Sequence, residues 1–251
     1  MTSPDAVPAA SRGRTARERA RTELTREIKE EARRQLADAG ANGLSLRAVA
    51  RELGMVSSAL YRYYPSRDDL LTALIIDAYD AIGDAAERAA AGLDGTEPGP
   101  ARDRWAAACH AIRDWARAHP HEYALIYGSP VPGYRAPEAT VGPASRVPLV
   151  FTGLLASAAA DGELAPPGAG GPAGRAEPLE PGLAAQAARL AAALGLRDVP
   201  AAALTGGVIA WTQLFGMISF ELFGQFVGSF EPADALFARA VGQLAALAGL
   251  R

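Results

Sequence analysis

Apolar residues in the 251-residue chain recur at helical spacing, and no run of them alternates as a half-buried strand would. Leu24, Ile28, Ala32 and Leu36 form one row, which predicts a first helix over residues 15–39 that Gly40 and Gly43 stop. Ser45 offers a cap for a short helix, 46–53, with Val49 and Ala50 turned inward, and Gly54 ends it in a turn. A second short helix, 57–63, follows at once and is closed by Pro65. Ser66 then caps a long helix with Asp68 and Asp69 in its first turn, and Leu70, Leu71, Leu74 and Ile75 begin an apolar face that runs to about residue 91. Later helices are expected at 101–118, 122–127, 144–160, 183–194, 201–223 and 232–247, so the fold class is all-α.

Glycine and proline divide these segments. Seven of the sixteen residues in 128–143 are Gly or Pro, which predicts a loop, and eleven of the 22 in 161–182 predict a flexible one. The organisation expected is a disordered basic arm over 1–14, a helix-turn-helix domain over 15–66 and a helical regulatory and dimerisation domain over 67–251.

Charge adds an asymmetry. Residues 1–67 carry 13 Arg/Lys against 8 Asp/Glu, net +5, whereas the remainder carries 12 against 20, net −8. A basic head on an acidic body favours an anionic partner at the head, the alternative being a solvated helix face. Cys109 is the single cysteine, which excludes an intramolecular disulfide or a paired-cysteine motif and fits a reducing cytoplasm. The first 23 residues lack the apolar core of a signal peptide. Residues 199–220 are uncharged, yet Pro200, Thr205, Gly206, Gly207, Thr212, Gln213 and Ser219 interrupt them, so a buried helix is expected there rather than a membrane span.

Residues 44–67 have the layout of a DNA reader, a helix, a turn opening on Gly54 and a second short helix shaped for the major groove. Val49, Leu53 and Leu60 fill the space beneath, Ala50 permits a close crossing, and Ser57, Ser58, Tyr61 and Arg62 face outward. The sequence Leu60-Tyr61-Arg62-Tyr63-Tyr64-Pro65-Ser66-Arg67, with Gly54-Met55-Val56 before it and Leu70-Leu71 after it, resembles the DNA-binding region of the TetR family over about residues 25–81.

That resemblance implies a dimer with three N-terminal helices on double-stranded operator DNA and a larger ligand-binding body. Carried over by position, Ser45 and Arg67 hold phosphates, Tyr61 contacts a phosphate, and Ser57, Ser58 and Arg62 face base edges, with Arg47 completing the set. Two positions depart from the family. Val56 stands where a capping Ser or Thr is usual, so the second helix is expected to start at Ser57, and Arg67 replaces the usual Lys. Tyr63 and Tyr64 read as core aromatics in preference to DNA contacts. Arg12, Arg14, Arg17, Arg19 and Arg21 read either as a minor-groove arm or as a solubilising tail.

The body is less explicit. Trp115, His119, Pro120, Tyr123, Tyr127 and Gly128 resemble a Trp, His-Pro and Tyr-Gly series in one TetR subgroup. Trp105, Trp115, His119, Tyr123, Tyr127, Phe151, Trp211 and Phe215 are the candidates to line an apolar ligand cavity, the alternative being plain core. Cys109, His110, His119 and His121 match no common zinc spacing, and no phosphate loop or catalytic triad has a recognisable context, so neither metal, cofactor nor enzymatic activity is expected. On 201–223 and the residues after it, Val208, Trp211, Phe215, Ile218, Leu222 and Phe226 form one stripe, while Leu204, Leu214 and Met217 form another. A helix apolar on two sides needs two partners, and a second subunit supplies one of them, covering the Trp211/Phe215/Phe226 side through about residues 204–226 and 232–247. The function expected is a repressor released from DNA by a small apolar ligand, the alternative being a ligand-free helical DNA-binding or interaction protein.

Overall fold

The row of apolar residues that opens the chain is buried as its spacing requires, with Ile28 and Ala32 at 0% exposure and Leu36 at 3%. They lie on α1 (Ala9–Gly43), which breaks at Gly40, where φ is 66°. The structure, a computed structural model, describes residues 9–92, 99–165, 178–196 and 198–251. Helix α1 starts six residues before the expected Thr15, so residues 9–14 of the expected disordered arm are helical, while 1–8 lie outside the described residues. After α1 come α2 (Leu46–Glu52), α3 (Ser57–Leu60), α4 (Arg67–Ala91), α5 (Ala101–Ala118), α6 (Pro120–Tyr127), α7 (Val141–Ala160), α8 (Pro181–Leu194), α9 (Ala201–Leu222) and α10 (Asp234–Leu247). Among the described residues the nearest thing to a strand is an isolated bridge between Leu164 and Leu250. The all-α reading of the sequence therefore holds.

Several boundaries moved. Helix α7 begins three residues before the expected start and takes in Pro143 and Pro148, and α8 begins at Pro181, inside the stretch expected to be a flexible loop. Proline at the first helical position costs no hydrogen bond, because that N–H has no partner within the helix. Residues 166–177 of the expected loop lie outside the described residues.

The chain divides into two compact units. The first comprises Met1–Ile75 with Ser129–Ala136, so it runs past residue 66 and recruits a segment from the loop between α6 and α7. Within it, Leu46 and Val49 of α2, Leu60 of α3, and Leu70, Leu71 and Leu74 of α4 are buried with the apolar row of α1. Tyr134 joins this unit through a 2.9 Å hydrogen bond between its hydroxyl and that of Thr72.

The second unit comprises Ile76–Gly128 and Pro137–Arg251. Its core is built from α5, α7, α9 and α10 with the C-terminal half of α4, around Ile82, Trp105, Ile112, Leu154, Leu214 and Phe237. Two glycines let α9 approach its neighbours. A Cβ on Gly206 would stand 2.2 Å from the carbonyl oxygen of Leu247, and one on Gly207 would stand 2.7 Å from Leu155 Cδ1. Helix α9 is long and apolar enough to cross a membrane by composition, yet α5, α6, α7, α8 and α10 all pack against it. Its Leu204, Ala210, Leu214 and Ile218 are fully buried in this unit.

Candidate nucleic-acid interface

The turn between α2 and α3 is made by local chemistry. Ser45 caps α2, its Oγ accepting from Ala48 N–H at 3.4 Å, and Gly54 adopts φ 65°, a left-handed conformation that L side chains rarely take. Met55 N–H then donates back to the Ala50 carbonyl at 2.8 Å, which closes the turn over the small Ala50 side chain. Val56 stands before α3 without a side-chain cap, and the helix begins at Ser57 as the sequence predicts. Regular α-helix ends at Leu60 rather than near Tyr63, and the chain continues through tighter turns in which Arg62 N–H bonds Ala59 O and Tyr63 N–H bonds Leu60 O.

Around this turn, polar residues are outside and apolar ones inside. Leu46, Val49, Ala50 and Leu60 are buried, and Leu53 is half-buried. Arg47, Ser57, Ser58, Tyr61 and Arg62 are exposed, and Ser45 is half-buried. Tyr61, at 41% exposure, presents an aromatic ring that the unit's own core does not use. Tyr64 is buried at 8%, as expected of a core aromatic, and Tyr63 is half-buried beneath the guanidinium of Arg21, which lies 5.9 Å from its ring centroid.

Arg67 is the member of the set whose place differs most from a free phosphate contact. Its Nε donates to the Leu44 carbonyl at 3.2 Å, its Nη2 donates to that of Ala41, and its Nη1 lies 3.3 Å from Asp68 Oδ1. The planar fork thus ties the first turn of α4 to the link between α1 and α2, a double contact that a lysine ammonium could not copy.

In the second unit, the eight aromatic and histidine candidates fall into three groups. Tyr123, Tyr127, Trp211 and Phe215 stack together, with Tyr127 and Phe215 centroids 4.2 Å apart, and Tyr79 of α4 joins them edge-on at 6.0 Å. Trp105 and Phe151 form a separate pair at 4.6 Å. Trp115 stacks on His119 at 5.1 Å, and His119 itself is exposed. Sequence spacing missed Tyr79, since nothing local links it to α6. The Tyr123 hydroxyl is already engaged, donating to Phe215 O at 3.1 Å and lying 2.9 Å from Ser219 Oγ. Burial pushes its pKa up to about 12, against the opposing effect of Ser219, and burial likewise raises that of Tyr127. Both phenols therefore stay protonated.

A half-open cleft of about 40 Å³ lies between α7 and α9, lined by Pro148, Phe151, Thr152, Leu155, Leu204, Gly207, Val208 and Trp211. The indole N–H groups of Trp105 and Trp211 are buried without a hydrogen-bond partner among the described residues. Among the described residues no group of three or more His, Cys, Asp or Glu is placed to hold a metal ion.

Known proteins share both units. Residues 28–74 match the family model of bacterial regulatory proteins, tetR family, and residues 105–244 match that of the tetracyclin repressor-like C-terminal domain, more than half of the chain. The HTH-type transcriptional regulator Rv1816 of Mycobacterium tuberculosis is 49% identical over 146 residues, 58% of this chain and 61% of its own length. Mb1846 of Mycobacterium bovis matches to the same extent. The matched region thus spans less than two thirds of these curated relatives. The crystal structure of the regulatory protein SCO4313 superposes with a TM-score of 0.68 at 36% identity, covering 90% of this chain and 97% of that one. A protein of unknown function from Rhodococcus sp. RHA1, 24% identical with a TM-score of 0.64 over 90% of this chain and 95% of its own, shares the fold. The chain therefore belongs to the TetR family of bacterial transcriptional regulators.

Proposed function

We propose that this regulator is a cytoplasmic repressor that holds a two-fold symmetric operator as a homodimer and releases it when a small apolar ligand enters the helical body. The observation that carries the DNA half of the reading is the exposed set Ser57, Ser58, Tyr61 and Arg62 on and after α3, behind which Leu60 is fully buried. Hydroxyl, phenol and guanidinium groups on a rigid short helix suit base edges and phosphates in a major groove. Ser45 and Arg47 at the start of α2 add backbone contacts that fix the register.

The second copy is assigned to the groove between α9 and α10. Gln213, Met217, Leu236, Ala240, Gln243 and Leu247 line it, with a volume of about 540 Å³. The uncovered row of α9 continues through Ile209 and Phe220, at 42% and 54% exposure. This differs from the stripe expected to meet a partner, because Phe215 and Ile218 are spent on the chain's own core. An apolar row flanked by neutral glutamines suits an isologous contact, where each residue meets its own kind without like-charge repulsion.

The ligand is assigned to the cleft walled by Phe151 and Trp211. At about 40 Å³ it is far below the ~300 Å³ of ordinary ligand pockets, so entry displaces side chains and opens a site that is closed at rest. The lining surface is wholly apolar, which makes an apolar molecule the best fit, and the buried Trp211 N–H offers one hydrogen-bond acceptor a partner only once entry displaces that side chain. Helix α4 runs unbroken from the DNA-reading unit into the body, so a ligand that favours another setting of α4 changes the placement of the reading helices.

Thermal-shift screening of apolar ketones, esters and drugs, followed by release from operator DNA, tests the ligand half. Compounds that stabilise the wild type, lose that effect in Trp211→Phe and weaken DNA binding are expected. Stabilisation with unchanged DNA affinity would leave the ligand-free reading in its place.

A further inference from the structure

The row of α1 that faces its unit's core does not stop where the core stops. Leu24, Ile28, Ala32 and Leu36 are followed backwards along the same row, at steps of three and four, by Arg21, Arg17 and Arg14. Leu24 is half-buried and the three residues after it along the row are buried, whereas Arg21 and Arg17 are exposed. One helix face thus passes from apolar to cationic within a single turn.

The cationic part starts beside the reading helix. Arg21 sits over the ring of Tyr63, the residue next to Arg62. Arg17 and Arg19 form no ion pair with a described residue, whereas Arg26, one turn after Arg21, is neutralised by Glu23 and Glu30. Residues 9–20 carry Arg12, Arg14, Arg17 and Arg19 against Glu18 alone, and at ~1.5 Å per residue they prolong α1 by roughly 18 Å. A merely solvated extension would mix its signs. Here Arg17 and Arg21 continue the inward row beyond the core, exposed and open to an external anion.

We infer that the N-terminal turns of α1 are a second DNA-contact surface, which lays Arg17 and Arg21 along the phosphates just outside the bases that α3 reads. The inference rests on the DNA-binding reading above. Contacts to phosphates alone supply affinity and footprint length without base specificity.

The experiment compares two charge-matched double variants, Arg17→Gln/Arg21→Gln on this row and Arg12→Gln/Arg19→Gln on another face. Glutamine keeps helix propensity, and circular dichroism verifies helix content. Binding to a random-sequence duplex is titrated against salt by fluorescence anisotropy. The first pair is expected to weaken binding on the order of tenfold and to lower the log–log salt slope by about two per subunit, with the second pair staying near wild type. Equal losses in both pairs, or no loss in either while the wild type binds, would overturn the inference and leave DNA binding by α3 intact. A wild type that binds no duplex would overturn both.

Discussion

Arg67 reaches across its unit to Leu44, donating from Nε to the Leu44 carbonyl at 3.2 Å while Nη2 of the same guanidinium bonds the Ala41 carbonyl. The residue that sequence position assigns to a phosphate therefore also holds the end of α1 against the start of α4. Replacing it with alanine removes two charge-assisted hydrogen bonds and is expected to lower stability by about 2 kcal/mol, which thermal melts would register as a shift of several degrees. Arg67→Lys is expected to recover only part of this. An unchanged melt with a salt slope lower by about one would instead make Arg67 a phosphate contact alone.

Arg113 poses a stability question of a different kind. It is 3% exposed, and it donates to Glu221 through Nε and Nη2, both at 2.7 Å, and to Asp234 through Nη1 at 3.0 Å, while its guanidinium covers the ring of Phe237. Removing Arg113 leaves the half-buried Glu221, among the described residues, with only the longer 3.9 Å contact to Arg117. Arg113→Ala is expected to cost about 3–5 kcal/mol, read by denaturant melts, and Arg113→Met less than alanine because it keeps volume against Phe237. A loss below about 1 kcal/mol for alanine would mean that the pair is solvated.

The acid limb of stability follows from Arg146 on α7, which pairs with Asp80, Asp84 and Glu87 of α4. Hydrogen bonding to Arg146 holds the Glu87 carboxyl below its ordinary value of 4.5. A carboxyl depressed in the folded state stabilises it above that ordinary value, and the benefit disappears as pH falls through the folded-state value. The gap in melting temperature between wild type and Arg146→Gln is therefore expected to be widest above pH 4.5 and to close in more acidic buffer. A gap independent of pH would assign the contact to packing.

For the assembly, Gln213→Glu and Leu247→Glu place charges in the α9 and α10 groove, and both residues are exposed, so the isolated fold tolerates the change. Light scattering is expected to report a dimer for the wild type and a monomer for the pair. A wild-type monomer would remove the homodimer reading, and a variant that stays dimeric would place the second copy elsewhere.

The reading unit was legible in sequence because its signals are local. Ser45, Gly54, Pro65 and the row on α1 each act within a few residues of themselves. The body hides its logic in distance. Arg113 looks like a solvated helix cation until Glu221 and Asp234, 108 and 121 residues away, are folded against it. The face of α9 that stays open differs from the expected stripe for the same reason. Counting apolar residues picks out Phe215, which Tyr127 of α6 covers, whereas the open row contains Gln213 and Gly216, which no hydrophobicity count selects. Proline spacing also misleads, since Pro143 sits within α7 rather than ending the loop before it.

The most direct measurement is a footprint of the purified protein on the DNA flanking its own coding sequence, repeated with Arg62→Ala. A two-fold symmetric protected site is expected for the wild type, with half-sites about one helical turn or a near multiple apart. Arg62→Ala is expected to lose about 1–3 kcal/mol on that site and to relax base preference at the contacted position. No preference of the wild type for any duplex over random competitor, or a protected site that Arg62→Ala binds with unchanged affinity and sequence preference, would contradict sequence reading by α3.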